Sequence, residues 1–254
     1  MVLAKIIKHM KKQMHLAAQY LAAAGISFLD KKDDDSHTNL GFNIENNCLE
    51  THVLSENNDQ LLLSYENFSL IWKSNSDKID FNLNGATHEE ILVWIKKTAQ
   101  SFLNKEYQYA LHYELPYTIE DSFVFELSSK KELNTLIQIR SLVQKSLEKI
   151  NETFQLNTSI RIWPHHFDTG IYTPLPNSSN AVGQGLAIPD SVCDEHYLYA
   201  SGYNDNGQID TSQFNDLSKG YWSSKGFIGA VLPISTITEE DAFEFFYVTI
   251  KQFK

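Results

Sequence analysis

Six side chains in the second half of the sequence bring chemistry at suggestive spacing: His165, His166 and Asp168, then Asp194, Glu195 and His196. Imidazoles and carboxylates ligate divalent metals and move protons near neutral pH. On a strand, residues two apart share a face, so His166 and Asp168 point one way and His165 the other. If the two segments lie side by side, their carboxylates and imidazoles suit zinc, manganese or iron. A metal-dependent hydrolase of this kind places His166, Asp168 and His196 on a divalent metal, with Glu195 as the base that activates its water. No HExxH, CxxC or facial-triad spacing accompanies the cluster. The bland alternative packs Trp163 and Phe167 in the core while His166 and Asp168 bond each other.

The aromatic residues point elsewhere. Tyr197, Tyr199, Tyr203, Tyr221, Trp222 and Phe227 gather beside Asn204, Asp205 and Asn206. Rings with amide and acid neighbours suit a small polar or carbohydrate-like ligand. The leading expectation is therefore a second-half pocket lined by Trp163, His165, His166, Asp168, His196, Tyr221 and Trp222. A third reading is a structural or protein-interaction module whose partner covers the aromatic surface. Thiol catalysis is disfavoured, because Asp194 and Glu195 oppose a thiolate at Cys193. No GxSxG elbow surrounds a serine, and Gly183-Gln-Gly185 reads as a turn rather than a phosphate cradle.

The bulk properties narrow the partners. The 254 residues are 42% hydrophobic, enough for a sizeable core, and carry a formal charge of −11. An acidic chain without a basic stretch repels phosphate backbones and anionic lipid, which disfavours nucleic acid and membrane surfaces. Two cysteines, Cys48 and Cys193, are too few for a disulfide framework and fit a reducing, cytoplasmic setting. Near the N-terminus, Leu3, Ile7, Met10, Met14, Ala17 and Leu21 recur every three or four positions and draw one helical stripe. Lys5, Lys8, Lys11 and Lys12 interrupt any signal-like apolar run, and Gly25 marks the expected helix end. Nothing here specifies a reaction, whether the chain is an enzyme, or an oligomeric state.

The elements that must position these residues show an internal pattern. Residues 87–102 align without gaps to 238–253, an offset of 151. Both segments open with a capping-box pattern, Thr87 with Glu90 and Thr238 with Asp241, and continue as amphipathic helices. Gly41–Ile44 and Cys48–His52 match Gly185–Ile188 and Cys193–His196 with one-residue slips, and Leu16, Leu21 and Phe28 match Leu142, Leu147 and Phe154. The expected organisation is an α+β chain with an internal duplication, its two antiparallel sheets (or one continuous sheet) each flanked by helices. The first repeat spans residues 1–104. Residues 105–129 form a connector with a strand-like run, Tyr107–Tyr113. The second repeat spans 130–254 and carries the Trp163–Asp168 segment as an insertion. Strands are expected at 38–44, 49–54, 61–65, 69–73 and 79–83, then at 160–163, 169–173, 185–188, 197–200 and 227–234.

Trp163-Pro-His-His-Phe-Asp168, Gly183-Gln-Gly185, Asp194-Glu-His-Tyr197 and Gly220-Tyr-Trp-Ser-Ser-Lys-Gly226 followed by Gly229-Ala-Val-Leu-Pro233 together resemble an uncharacterised bacterial family, a domain of unknown function. That family is marked by W-P-H-H-F-D and a later G-H-W-H-x-E-G-(aromatic)-x-G-A-V-L block. The resemblance is strongest over Arg161–Ser235 and implies no activity. It departs where the later block's histidines and acid would stand, at Tyr221, Ser223 and Lys225. Any metal held through that block in the family would lose ligands here.

Overall fold

The computed structural model describes residues 8–117, 119–120, 122–235 and 237–254. Leu3, Ile7 and Lys5 of the expected N-terminal helix lie outside them. The chain is α+β, with four helices and two antiparallel sheets among the described residues. Its residues fall into two compact units. Among the described residues, one comprises Lys8–Ile137 together with Ile162–His165, and the other comprises Gln138–Arg161 and His166–Lys254. No described helix is long and apolar enough to cross a membrane.

The first unit opens with α1 (Lys8–Phe28), then a 3-10 turn (Ser36–Thr38). Five strands follow as a simple meander: β1 (Gly41–Asn43), β2 (Cys48–Glu50), β3 (Gln60–Ser64), β4 (Ser69–Lys73) and β5 (Lys78–Asn82). Short turns between strands of alternating pattern allow only antiparallel pairing. Leu61, Leu63, Leu70 and Trp72 are fully buried on one face. Trp72 there meets Phe28 of α1 and, at 6.0 Å, Phe102 of α2 (His88–Leu103).

Helix α1 departs from the single apolar stripe, for it is buried on every side from Gln13 to Gly25. Seven of those residues are paired or small for a reason. His15 and Gln19 have hydrogen-bond partners, and the alanines at 17, 18 and 22–24 let neighbours approach closely. Gly25 does not end the helix. A Cβ there would lie 2.5 Å from the His37 carbonyl oxygen, so glycine serves a close crossing instead.

The second unit contains most of α3 (Lys130–Phe154), then β7 (Asp168–Pro174), β8 (Ala181–Ala187), β9 (Tyr197–Asn204), β10 (Gly207–Gln208), β11 (Tyr221–Lys225), β12 (Phe227–Pro233) and α4 (Glu239–Phe253). The sheet runs β11-β12-β9-β8-β7-β6, where β6 is Arg161–Trp163, and β10 pairs with β9 alone. Ile171, Val182, Leu186, Leu198 and Leu232 bury one face against Val143, Leu147 and Ile150 of α3 and Phe246, Ile250 and Phe253 of α4. Gln184 pins strand to helix, its amide donating at 2.8 Å to both the Phe246 carbonyl and the Thr249 hydroxyl.

All ten expected strands are present, and β10 and β11 are additional. Three expectations are corrected. Gly183-Gln-Gly185 lies within β8 and is no turn. The run Tyr107–Tyr113 pairs with no strand. Cys48 sits in β2, whereas Cys193 sits in the loop before β9, so their local structures differ. Both capping boxes form, with Thr87 and Thr238 each accepting from the third helical N–H and Glu90 and Asp241 each reaching back. Thr87→Ala should cost about 1 kcal/mol. A calorimetric scan should find the melting temperature lowered by roughly 2–4 °C.

Candidate functional site

The connector after α2 explains itself by alternation. Tyr107, Tyr109, Leu111, Tyr113, Leu115 and Tyr117 stand at every second position, and the residues between them are exposed. An extended chain sends alternate side chains to opposite sides, so this period lays all six against the protein without a ladder partner. Pro116 reinforces the extended path by excluding helical geometry at Leu115.

Helix α1 receives the tyrosines. The Tyr107 hydroxyl donates to the Tyr20 carbonyl at 3.1 Å, and that of Tyr113 to Gln19 Oε1 at 2.7 Å. The Tyr117 hydroxyl bonds His15 Nδ1. His15 Nε2 lies 2.7 Å from the Pro164 carbonyl oxygen, which can only accept. Nε2 therefore carries the proton and Nδ1 accepts from Tyr117. Gln19 adds a second donor to Pro164 at 2.9 Å. Tyr20 in turn bonds His88 Nδ1 at 2.7 Å, fixing the first residue of α2 against the ring of Tyr109.

A cleft of about 480 Å³ opens over this scaffold, lined by His88, Tyr109, Leu111, Tyr113, Glu114, Leu115, Tyr117 and Ile119. Burial pushes the Tyr109 hydroxyl up to about 12 and raises Tyr113 and Tyr117 further, so all three stay protonated. Because the Tyr113 and Tyr117 hydroxyls are engaged by α1, these residues offer the cleft their rings. The arrangement is an aromatic slot with one carboxylate, Glu114, at hand. Its size and apolar lining match small-molecule sites.

The residues expected to line one second-half pocket are divided between the two units. Trp163-Pro-His-His-Phe-Asp168 runs from the end of β6 through a tight turn, Pro164–Phe167, to the start of β7, with Phe167 at φ 59°. Trp163 and His165 belong to the first unit, where the His165 ring lies 5.5 Å from that of Tyr113. His166 is exposed and His196 buried. Tyr221 and Trp222 are neighbours on β11, so they point to opposite faces. Tyr221 is exposed, while Trp222 packs on Phe214 and Phe253 and donates its ring N–H to Asn215.

Among the described residues no three His, Cys, Asp or Glu side chains are placed to hold a metal ion, and His166, Asp168 and His196 form no ligand set. The Glu195 carboxylate, read as a base, accepts from the backbone N–H and the hydroxyl of Ser235.

Asp168 does occupy an unusual setting. Its Oδ2 accepts from the Tyr199 hydroxyl at 2.9 Å, while its Oδ1 is buried with no partner among the described residues. Burial raises its pKa from the ordinary carboxylate value, against the Tyr199 hydrogen bond and the charges of His166 and Arg140. Gly170 and Gly185 make this contact possible. Side chains there would meet the Tyr199 hydroxyl at 2.6 and 2.8 Å.

Sequence patterns alone missed the cleft's tyrosines, although their strict alternation was a signal. Comparison with protein families, with curated proteins and with solved structures finds no match to this chain.

Proposed function

We propose that the chain binds a small cyclic molecule, sugar-like or flat, in the cleft framed by Tyr109, Tyr113 and Tyr117. One observation carries the reading: rings tied to α1 through their hydroxyls are held around a space of ligand size. Aromatic side chains immobilised beforehand give up little rotamer freedom on binding, so more of the stacking energy appears as affinity. Stacking on an aromatic face suits the C–H face of a sugar or a heterocycle. Glu114 at the cleft, on a chain of charge −11, favours a neutral or cationic ligand over an anion.

The test is a thermal-shift panel of mono- and disaccharides, nucleosides and cyclic amines, because a ligand that prefers the native state raises the melting temperature. For a compound that does so, Tyr113→Ala should weaken binding about tenfold, the loss of one stacked ring. Tyr113→Phe keeps the ring and should retain most of the affinity. Equal losses for both variants would mean that the hydroxyl, not the ring, makes the contact. If no member of the panel shifts the transition, the proposal fails.

A further inference from the structure

The face of the first sheet opposite α1 and α2 carries an apolar island. Cys48, Leu62 and Ile71 touch one another and are each at most 5% exposed, although they lie on the side away from Trp72. The strand register puts them in the middle of a trough. One row across the sheet is Cys48–Ser64–Ser69–Asn82, the next is Glu50–Leu62–Ile71–Asp80, and the last is Gln60–Lys73–Lys78. A cavity of about 540 Å³ sits on this floor.

The two ends of the floor differ in charge along the strand direction, while Glu50 and Asp80 flank its middle row. Glu45 and Glu66 stand in the turns beyond the Cys48 row, with Glu50 on the flank. Lys73 and Lys78 close the other end. Asp77 shares that end, where its carboxylate already accepts from the Ser76 hydroxyl at 2.9 Å. None of the three glutamates or two lysines makes an ion pair among the described residues. The Cys48 thiol reports the same polarity. Burial raises it most, Glu50 and Glu66 raise it further, and Lys78 and the Ser64 hydroxyl work against them. The thiol is thereby kept protonated, which makes it floor and not nucleophile.

An apolar floor with carboxylates at one end and ammonium groups at the other is complementary to a molecule with the reverse order of charge. The Ser69 and Lys73 rows are four residues apart, roughly 14 Å at ~3.4 Å per residue. Three residues of extended peptide reach about 10 Å, leaving each terminal charge within range of a flexible side chain. We propose that this trough is a second binding site, for a short peptide with free ends. The peptide's ammonium lies toward Glu45 and Glu66, its carboxylate lies toward Lys73 and Lys78, and an apolar central side chain rests on Leu62 and Ile71.

Calorimetric titration of the full chain with the tripeptide Ala-Leu-Ala tests this, beside its N-acetylated and its C-amidated forms. The free peptide should bind, and each cap should weaken it about tenfold. The double variant Lys73→Glu with Lys78→Glu should bind the C-amidated form at least as well as the free acid. Tyr113→Ala should leave peptide affinity unchanged, which separates this site from the cleft. The proposal is overturned if no form gives binding heat, if the caps make no difference, or if the double variant still prefers the free carboxylate. A loss with Tyr113→Ala would likewise place the peptide in the cleft.

Discussion

Gly185→Ala should destabilise the protein by about 3 kcal/mol, the upper end of what overpacking costs. The added Cβ would lie 2.0 Å from the Thr169 carbonyl oxygen and 2.8 Å from the Gly170 Cα, both backbone atoms that side-chain rotation cannot clear. Gly185 pairs with Gly170 on β7 and with Tyr199 on β9, so the clash falls in the middle of the sheet. For a unit of this size the loss lowers the melting temperature by roughly 6–12 °C. Gly183→Ala is the control in the same strand. Its nearest new contact is the Ser201 hydroxyl at 3.3 Å, which can rotate away, and its cost should be much smaller. Removing the Tyr199 hydroxyl in the Gly185→Ala background should not restore stability, because the backbone contacts persist. A Gly185→Ala protein melting within about 2 °C of the parent would show that the strands can part without penalty.

What the residues disclosed in advance depended on how local the physics was. Strand alternation, turn residues and the Thr–x–x–acid caps act over a few positions, and the ten strands and both caps are where those signals put them. Strand β11 was missed because Tyr221-Trp-Ser-Ser-Lys225 carries little hydrophobic alternation. It is held by pairing with β12. Glycines misled for a related reason. Gly25 and Gly185 were read as punctuation, but each lies inside a regular element where a neighbour's backbone comes too close for a side chain. The Trp163–Asp168 segment drew attention by the types and spacing of its side chains. Its tightness comes from the backbone of a turn, and its Pro164 carbonyl is held by His15 and Gln19, about 145 residues away in sequence.

The cleft shows the same limit from the other side. The alternation from Tyr107 to Tyr117 was visible, yet a period of two also describes a strand, and the connector was read that way. What decides between them is the availability of a ladder partner. Here hydroxyl bonds to Gln19, Tyr20 and His15 on α1 take the place of backbone pairing. Those partners are 87 to 102 residues distant, so no window along the chain contains both halves of the arrangement. Anchored in this way, Tyr107 is fully buried while Tyr113 and Tyr117 keep part of their surface exposed.

Asp168→Asn should stabilise the protein near pH 8, by about 1–2 kcal/mol, although it removes a residue with a hydrogen bond. An asparagine oxygen can still accept from Tyr199, so the bond survives while the buried charge is lost. The direction follows from linkage. Burial raises the folded-state pKa of Asp168 above its unfolded value near 3.9. Below that unfolded value the carboxyl is neutral in both states and contributes no penalty. As pH rises through the folded value, ionisation must occur in the desolvated site, and wild-type stability declines relative to the variant. Urea midpoints for the two proteins should therefore nearly coincide at pH 4 and separate at pH 8, with the asparagine protein the more resistant. The opposite order at pH 8 would mean that His166 and Arg140 hold the ionised carboxylate more strongly than burial penalises it. Asp168 would then be a stabilising anion in the second sheet and not a strained one.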